Sequence, residues 1–320
     1  MSVDVLVSEV GPRDGLQNAQ LIMPTAGKLD WIRAEAAAGV REIEVGSFVP
    51  PKLLPQLADT ADVVAGALAI DGLDVAVLVP NVRGAKDALA SGARKLTLPL
   101  SVSETHSLKN LRRTHEQVYA EIREIRKLID ALPAGKRPHF EGSLSTAFGC
   151  TLEGVVPERN VVQAAERLMQ AGCDEVGLSD TTGYADPASV RRLIKAVHRA
   201  VGEKHLTGIH LHNTRGLGLA NALAALECGL ATLDASLGGL GGCPFAPGAS
   251  GNIVTEDLVF MLEAMGVNTG IDIERLLAVR DILERCLPGE PLYGFTADAG
   301  LPLGFEPAGK AAPRAESRYA

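Results

Sequence analysis

The segment NVVQAAERLMQAGCDEVGLSD, residues 160–180, contains one complete step from a helix to a strand. Its first half carries apolar residues at helical spacing, namely Val161, Val162, Ala165, Leu168 and Met169. Gly172 follows where a helix C-cap belongs, and the run DEVGLSD then has the composition of a short buried strand. The segment therefore predicts a helix that leads directly into a strand.

The same step recurs along the chain. Eight runs are typical of strands: DVLVSEV (4–10), REIEVGS (41–47), DVAVLVP (74–80), KLTLPLS (95–101), HFEGSLST (139–146), DEVGLSD (174–180), LTGIHLH (206–212) and TLDASLG (232–238). Helical patterns lie between them, and this alternation over roughly 250 residues predicts a (β/α)8 TIM barrel. An open doubly wound sheet is the alternative, but no glycine-rich dinucleotide turn follows the first strand.

The chain beyond the eighth strand predicts two additional C-terminal helices, in VTEDLVFMLEAMG (254–266) and IDIERLLAVRDILERCLP (271–288). We expect them to cover one end of the barrel. Residues 1–305 are then a single catalytic domain. The segment 306–320, EPAGKAAPRAESRYA, is rich in proline, alanine and charge and predicts a mobile tail.

Composition excludes several classes of protein. A formal net charge of −8 argues against a general nucleic-acid binder, which needs a basic surface. Five scattered cysteines do not form a disulfide framework and fit a reducing compartment. The N-terminus does not resemble a signal peptide, and no apolar run is long enough to span a membrane. These features predict a soluble cytoplasmic protein without membrane or nucleic-acid partners.

Polar residues gather where the predicted strands end, which is where a TIM barrel binds its substrate. Arg13 and Asp14 follow the first strand, Glu44 lies in the second, and Asp180 ends the sixth. Each has a plainer interpretation: an Asp-Gly pair is often only a turn, and Glu44 could be a structural partner of Arg13. Their joint position at strand ends favours a functional site.

The seventh strand carries His210 and His212, which strand alternation places on one face. Asp14 could add a carboxylate and Asn252 a carbonyl oxygen. Two nitrogens and two hard oxygens suit Mg²⁺ or Mn²⁺ better than Zn²⁺. The alternative is that both imidazoles only pack in a polar barrel interior.

The segment GLGGCPFAPGASGN, residues 239–252, places Cys243 and Asn252 in a glycine-rich loop after the eighth strand. Free cysteines are most often inert small hydrophobes, so Cys243 alone indicates no chemistry.

Several motifs together resemble the 3-hydroxy-3-methylglutaryl-CoA lyase family, over residues from about 4 to about 300. They are VSEVGPRDGLQN, GSFVPPKLLPQ, VGLSDTTG, HLHNTRGLGLAN and GGLGGCPFAPGASGNIVTEDLVFML. The resemblance implies a retro-Claisen cleavage of 3-hydroxy-3-methylglutaryl-CoA to acetyl-CoA and acetoacetate, as in leucine degradation and ketone body formation. The alternatives are a citramalyl-CoA lyase, a lyase for another 3-hydroxyacyl-CoA, and a Claisen-type acyl-CoA synthase, which would run this reaction in the opposite direction.

The resemblance also implies roles for individual residues. A divalent cation, Mg²⁺ or Mn²⁺, would be held by Asp14, His210, His212 and Asn252. The catalytic residues would be Arg13, Glu44, Asp180, His210 and Cys243. Arg13 would stabilise enolate charge on the thioester oxygen, and Cys243 would be a general acid or base.

Coenzyme A carries several phosphates, so an acidic protein needs a local basic patch to bind it. Lys109, Arg112 and Arg113 follow the fourth strand, and Lys52 follows the second. A solvated helix start is the alternative for these cations. The resemblance further implies a homo-oligomer, a dimer or a tetramer.

Two positions depart from the pattern of the family. Asn213 replaces an aspartate after the second histidine, and Gly177 replaces a serine of the sixth-strand motif. We expect the first to remove a charge beside the metal site and the second to remove one polar contact to substrate.

Overall fold

The computed structural model describes residues 3–110, 112–241 and 251–309. Eight parallel strands close into a barrel in chain order, because the first strand pairs with both the second and the eighth. The strands are β1 (Leu6–Glu9), β2 (Glu42–Ser47), β3 (Asp74–Leu78), β4 (Lys95–Ser101), β5 (His139–Ser145), β6 (Glu175–Asp180), β7 (Gly208–Leu211) and β8 (Thr232–Ala235). The predicted TIM barrel is confirmed.

Helices surround the barrel and connect its strands. In the described part of the chain they are α1 (Thr25–Ala38), α2 (Thr60–Ala67), α3 (Val82–Ser91), α4 (Glu104–Asn110), α5 (His115–Asp130), α6 (Glu158–Ala171), α7 (Pro187–Val201), α8 (Gly218–Leu226), α9 (Thr255–Met265), α10 (Ile273–Cys286) and α11 (Phe295–Ala299). α6 ends as predicted, because Gly172 adopts the left-handed conformation with φ of 114°. None of these helices is long and apolar enough to cross a membrane.

Alternation along the strands separates an apolar outer face from a polar interior. In β4, Leu96, Leu98 and Leu100 are buried against the helices, whereas Lys95 and Thr97 line the cavity inside the barrel. The outer leucines contribute to one continuous core between the strands and the helix layer. The barrel interior is therefore free to carry charged and hydroxyl side chains.

The two predicted C-terminal helices are present as α9 and α10. That they cover one end of the barrel stays a prediction, and the described contacts of α10 are with other helices. It packs along α1 and α9 in the outer layer. Its buried apolar side chains, Ile273, Leu276, Val279 and Leu283, explain this position, because α10 buries them in the same core.

The boundary at residue 305 stays a prediction, and the first residues after it contact α9. The Ala308 amide donates to Glu263 Oε2 at 2.7 Å, which ties the described residues 306–309 to α9. The rest of the predicted tail lies outside the described residues.

Candidate active site

A cavity of about 1170 Å³ opens where the strands end and reaches into the barrel interior. Many of the residues predicted for the site line it, namely Arg13, Asp14, Glu44, Lys109, Arg112, Arg113, His210 and His212. They come from the turn after β1, from β2, from α4 and the residues that follow it, and from the end of β7. Closure of the barrel brings these separate sequence segments to one cavity.

Asp14, His210 and His212 converge on one point. The Nε2 atoms of the two histidines lie 3.1 Å apart. Asp14 Oδ2 lies 3.8 Å from His210 Nε2 and 3.9 Å from His212 Nε2. Neighbouring ligands of an octahedral Mg²⁺, bound at about 2.1 Å, lie about 3.0 Å apart, and opposite ligands about 4.2 Å apart. The observed distances fall within this range, so the three side chains fit a divalent cation.

Asn252 completes this group. The backbone of Asn252 forms an isolated β-bridge with His212. The side-chain Nδ2 of Asn252 donates to Asp14 Oδ2 at 2.7 Å and to the Leu240 carbonyl at 3.0 Å. Its Oδ1 is buried without a hydrogen-bond partner among the described residues. A buried carbonyl oxygen with no donor is costly unless something else, such as a cation, satisfies it.

The protonation states suit a cation. Burial and the nearby His210 lower the pKa of His212 to about 4, which leaves this imidazole neutral with a free lone pair. Burial opposes ionisation of Asp14, but Arg13 and both histidines hold its pKa at about 2. Burial also lowers the pKa of His210, yet its hydrogen bond to Asp234 and the charge of Asp14 raise it overall. A cation would displace any proton shared between the imidazoles.

Arg13 lies between two carboxylates. Its Nη1 donates to Asp14 Oδ1 at 2.6 Å and its Nε donates to Glu44 Oε2 at 2.5 Å. Burial raises the pKa of Glu44 to about 7 despite the attraction of Arg13. Glu44 can therefore exchange a proton near neutral pH, while the guanidinium is held rigidly in the cavity wall.

Three predicted residues are not brought into this group. Asp180 does not line the cavity: its carboxylate accepts from the amides of Tyr184 and Ala185, at 2.8 and 3.2 Å, and closes the turn after β6. Burial raises its pKa to about 6. Lys52 is exposed and also does not line the cavity. Cys243 lies outside the described residues.

The two departures from the family pattern have local explanations. The side chain of Asn213 accepts from the Gly218 amide at 3.0 Å, at the start of α8, and Asn213 is absent from the cavity lining. A Cβ at Gly177 would collide with Glu141 Oε1. A serine there would therefore require Glu141 to move.

Sequence reasoning missed other residues of the cavity. Asp234, in β8, lies with Oδ2 3.2 Å from His210 Nδ1 and lines the cavity. Gln17 donates to Asp14 Oδ1 at 2.5 Å. Asp234 lies two residues after Thr232, so both side chains are on the same face of the strand. An acidic residue within a predicted strand is the sequence feature that could have identified Asp234.

A charged cluster also lies deeper in the barrel. Lys95 Nζ is 3.2 Å from Glu42 Oε1 and 3.0 Å from Glu141 Oε2, and all three residues line the cavity. The Ser8 hydroxyl donates to Glu42 Oε1 at 2.8 Å. The cavity floor is therefore charged and internally paired.

The fold and this site define a TIM-barrel enzyme whose two imidazoles and one carboxylate are arranged for a divalent metal. The HMGL-like family matches residues 4–283. The chain belongs to this family and is a carbon–carbon lyase, which confirms the resemblance.

Relatives support this assignment. The chain is 40% identical over 288 residues to hydroxymethylglutaryl-CoA lyase YngG of Bacillus subtilis, covering 90% of this chain and 94% of that protein. It is also 40% identical over 283 residues to the mitochondrial hydroxymethylglutaryl-CoA lyase of Mus musculus, covering 88% and 86%. An HMG-CoA lyase of Acinetobacter baumannii, solved with coenzyme A and 3-methylmalate, superposes with a TM-score of 0.87 at 42% identity, covering 95% of this chain and 97% of that one.

Proposed function

We propose that this chain cleaves 3-hydroxy-3-methylglutaryl-CoA to acetyl-CoA and acetoacetate at the cavity that contains Asp14, His210 and His212. The convergence of these three side chains beside the partly buried guanidinium of Arg13 is the observation that carries the proposal. The relatives named as hydroxymethylglutaryl-CoA lyases support the choice of substrate.

Asp14, His210, His212 and Asn252 would hold the cation, and their mixed nitrogen and oxygen donors suit Mg²⁺ or Mn²⁺. When bound, this cation supplies Lewis acidity toward the hydroxyl and carboxylate oxygens of the substrate. Gln17 and Asn252 both donate to Asp14, and this fixes the orientation of its carboxylate before any cation binds.

Arg13 would stabilise the charge that develops on the thioester oxygen as the carbon–carbon bond breaks. Its two bonds to carboxylates hold the guanidinium in one orientation, so little reorganisation is needed during the reaction. Its Nε and Nη1 are engaged by Glu44 and Asp14, which leaves further N–H groups of the fork for substrate.

Glu44 is well suited to move a proton in this cavity. Its pKa of about 7 lets it accept or release a proton at neutral pH, and its Oε1 is buried without a hydrogen-bond partner in the described chain. Cys243 stays the predicted general acid or base on the glycine-rich loop. Asp180, whose oxygens are both engaged by backbone amides, fits a supporting role beside His210 better than direct contact with substrate.

Lys109, Arg112 and Arg113 would bind the phosphates of coenzyme A at the cavity rim. The relative from Acinetobacter, solved with coenzyme A, supports an acyl-CoA substrate. Arg113 Nε donates to Glu121 Oε1 at 2.9 Å, which orients its guanidinium. Lys52 is exposed outside the cavity, and it could contact only a part of the cofactor that extends beyond the rim.

A substrate panel tests the proposal. Metal-stripped protein is mixed with Mg²⁺, Mn²⁺ or Zn²⁺ and with either 3-hydroxy-3-methylglutaryl-CoA or citramalyl-CoA, and acetyl-CoA is measured. We include citramalyl-CoA because the relative binds 3-methylmalate, another hydroxy dicarboxylate. We expect acetoacetate and acetyl-CoA from the first substrate with Mg²⁺ or Mn²⁺.

The matched variants are His212→Ala and His198→Ala, since His198 lies on α7, away from the cavity, and its side chain contacts the Leu206 carbonyl. The first should lose activity and the second should keep it. No acetyl-CoA from 3-hydroxy-3-methylglutaryl-CoA with any of the three metals would refute the proposed function, and acetyl-CoA from citramalyl-CoA alone would identify the alternative substrate. The predicted dimer or tetramer is checked on the same sample by light scattering.

A further inference from the structure

Glu9 is a carboxylate on the apolar outer face of the barrel. Strand alternation puts Ser8 into the cavity, whereas Glu9 and Val7 face the helix layer, and Glu9 is completely buried there. Burying a carboxylate is costly unless its oxygens are well bonded, so such a residue must serve a specific contact.

The oxygens of Glu9 join three separate segments. Oε1 accepts from the Gly11 amide at 2.7 Å and from the Leu237 amide at 3.0 Å, and Oε2 accepts from the Thr255 hydroxyl at 2.7 Å. A Cβ at Gly11 would lie 2.5 Å from Glu9 Oε1, so the close approach requires glycine.

Each of these segments leads to a residue of the metal site. Gly11 begins the short π-helical turn Gly11–Gly15, which carries Asp14. Leu237 begins the turn Leu237–Gly239, and the next residue, Leu240, accepts from the Asn252 side chain. Thr255 begins α9, three positions after Asn252.

Further charged groups surround Glu9. Glu256, on α9, accepts from the Gly238 amide and from Arg280 of α10, the latter at 2.7 Å. Glu35, on α1, is fully buried, and burial together with the charge of Glu9 raises its pKa well above the usual range. A neutral Glu35 beside Glu9 avoids a second buried charge.

We propose that Glu9 is a positioning residue that fixes Asp14 and Asn252 relative to each other by holding the Gly11, Leu237 and Thr255 segments on one carboxylate. Glu9 itself touches neither site residue. Its loss would leave two buried amides without an acceptor and free both walls of the metal site to separate, which weakens the 2.7 Å contact between Asp14 and Asn252.

Glu263 provides a matched control, because it is also a buried carboxylate with three hydrogen bonds. It accepts from the amide and hydroxyl of Thr269 and from the Ala308 amide, away from the cavity. Glu9→Leu and Glu263→Leu should therefore destabilise the fold to a similar extent, while only the first disturbs the metal site. Glu9→Gln keeps an acceptor oxygen and serves as the conservative rescue.

The main measurement is the dissociation constant of Mn²⁺ by calorimetry without substrate, below the unfolding temperature of every variant. We expect Glu9→Leu to weaken Mn²⁺ binding at least tenfold and to lower kcat more than tenfold. Glu9→Gln should stay within about threefold and Glu263→Leu within about twofold of wild type. Should Glu9→Leu not fold, Glu9→Asp, whose shorter side chain cannot reach all three donors, should weaken Mn²⁺ binding at least threefold.

The inference rests on the proposed metal-dependent function, and the outcomes separate the two. The positioning role is wrong if wild-type protein binds Mn²⁺ and Glu9→Leu has the same Mn²⁺ dissociation constant and kcat as Glu263→Leu. The same holds for Glu9→Asp where it replaces Glu9→Leu. If wild-type protein binds no Mn²⁺, the metal site is wrong and the inference fails with it.

Discussion

The imidazole of His210 is held by Asp234, whose Oδ2 lies 3.2 Å from Nδ1. Donation from Nδ1 to this carboxylate orients the ring so that Nε2 faces Asp14 and His212. Metal-bound histidines commonly donate their second nitrogen to a carboxylate, which fixes the tautomer and the ring orientation. Asp234 is thus part of the predicted metal centre although it would not bind the cation.

Asp234→Asn should weaken Mn²⁺ binding by about ten- to a hundredfold, because it removes the charged acceptor for His210. Calorimetric titration of the metal-stripped protein measures this. Asp257→Asn is the control, since Asp257 is also an aspartate that accepts hydrogen bonds but takes them from the Phe295 and Thr296 amides beside α11. Equal Mn²⁺ affinity in wild type and Asp234→Asn would show that the His210 ring is held by other contacts.

Arg13→Gln should lower kcat by about two orders of magnitude or more, because it removes a fixed charge from the place where enolate charge develops. Arg13→Lys should recover little of this loss, since a lysine cannot bond Asp14 and Glu44 in the same fork geometry. Steady-state kinetics with 3-hydroxy-3-methylglutaryl-CoA measures both.

Arg191→Gln is the matched surface control, because Arg191 on α7 pairs with Glu227, the residue that follows α8. It should leave kcat unchanged. A rise in KM alone for Arg13→Gln would mean that Arg13 binds substrate and transition state equally well.

Much of the fold could be predicted because each strand and helix has its own local pattern. Each of the eight strands, and the C-cap at Gly172, can be predicted from a sequence pattern only a few residues long. The His210 and His212 pair was equally local, since strand alternation alone puts both on one face. Alternation also shows why Asp180 lies elsewhere: Ser179 and Thr181 line the cavity, so the residue between them faces away.

The remaining contacts depend on closure of the barrel. Glu42, Lys95 and Glu141 stand far apart in sequence, and nothing near any of them identifies its partners. Glu9 lies in a strand run whose other outward residues are apolar, and its three donors come from positions 11, 237 and 255. Such contacts follow from three-dimensional packing, which single-sequence patterns do not contain.

Lys95→Met should destabilise the protein by about 3–5 kcal/mol, because it leaves Glu42 and Glu141 facing each other in the barrel without a cation. Urea unfolding measures the free energy of unfolding. Adding Glu141→Gln to this variant should recover part of the loss.

Lys127→Met is the control, since Lys127 forms an exposed pair with Glu124 on α5, and such pairs contribute about 0–1 kcal/mol. A similar change in both lysine variants would mean that solvent in the cavity screens the Lys95 cluster.

The free energy of unfolding should fall as the pH rises from about 5 to about 8. Burial raises the pKa of Glu9 from 4.5 to about 7, so in this window the folded state binds more protons than the unfolded state. The free energy of unfolding therefore decreases as the pH rises, because protonated Glu9 costs little to bury whereas ionised Glu9 is costly to bury. One pKa unit corresponds to about 1.4 kcal/mol, so the shift amounts to a loss on the order of 3 kcal/mol. Glu44 and Asp180, whose pKa values are raised to about 7 and about 6, contribute in the same direction, whereas His212, whose pKa is lowered to about 4, offsets part of the fall.

Urea unfolding at pH 5, 6, 7 and 8 measures this dependence in wild type, Glu9→Gln and Glu124→Gln. Glu9→Gln cannot ionise at this position, so its free energy of unfolding should change less with pH, with a residual slope from the other shifted groups, Glu44, Asp180 and His212. Glu124 is exposed on α5, and its variant should keep the wild-type slope. A wild-type slope in Glu9→Gln would mean that Glu9 stays ionised throughout, stabilised by the Gly11, Leu237 and Thr255 donors against the cost of burial.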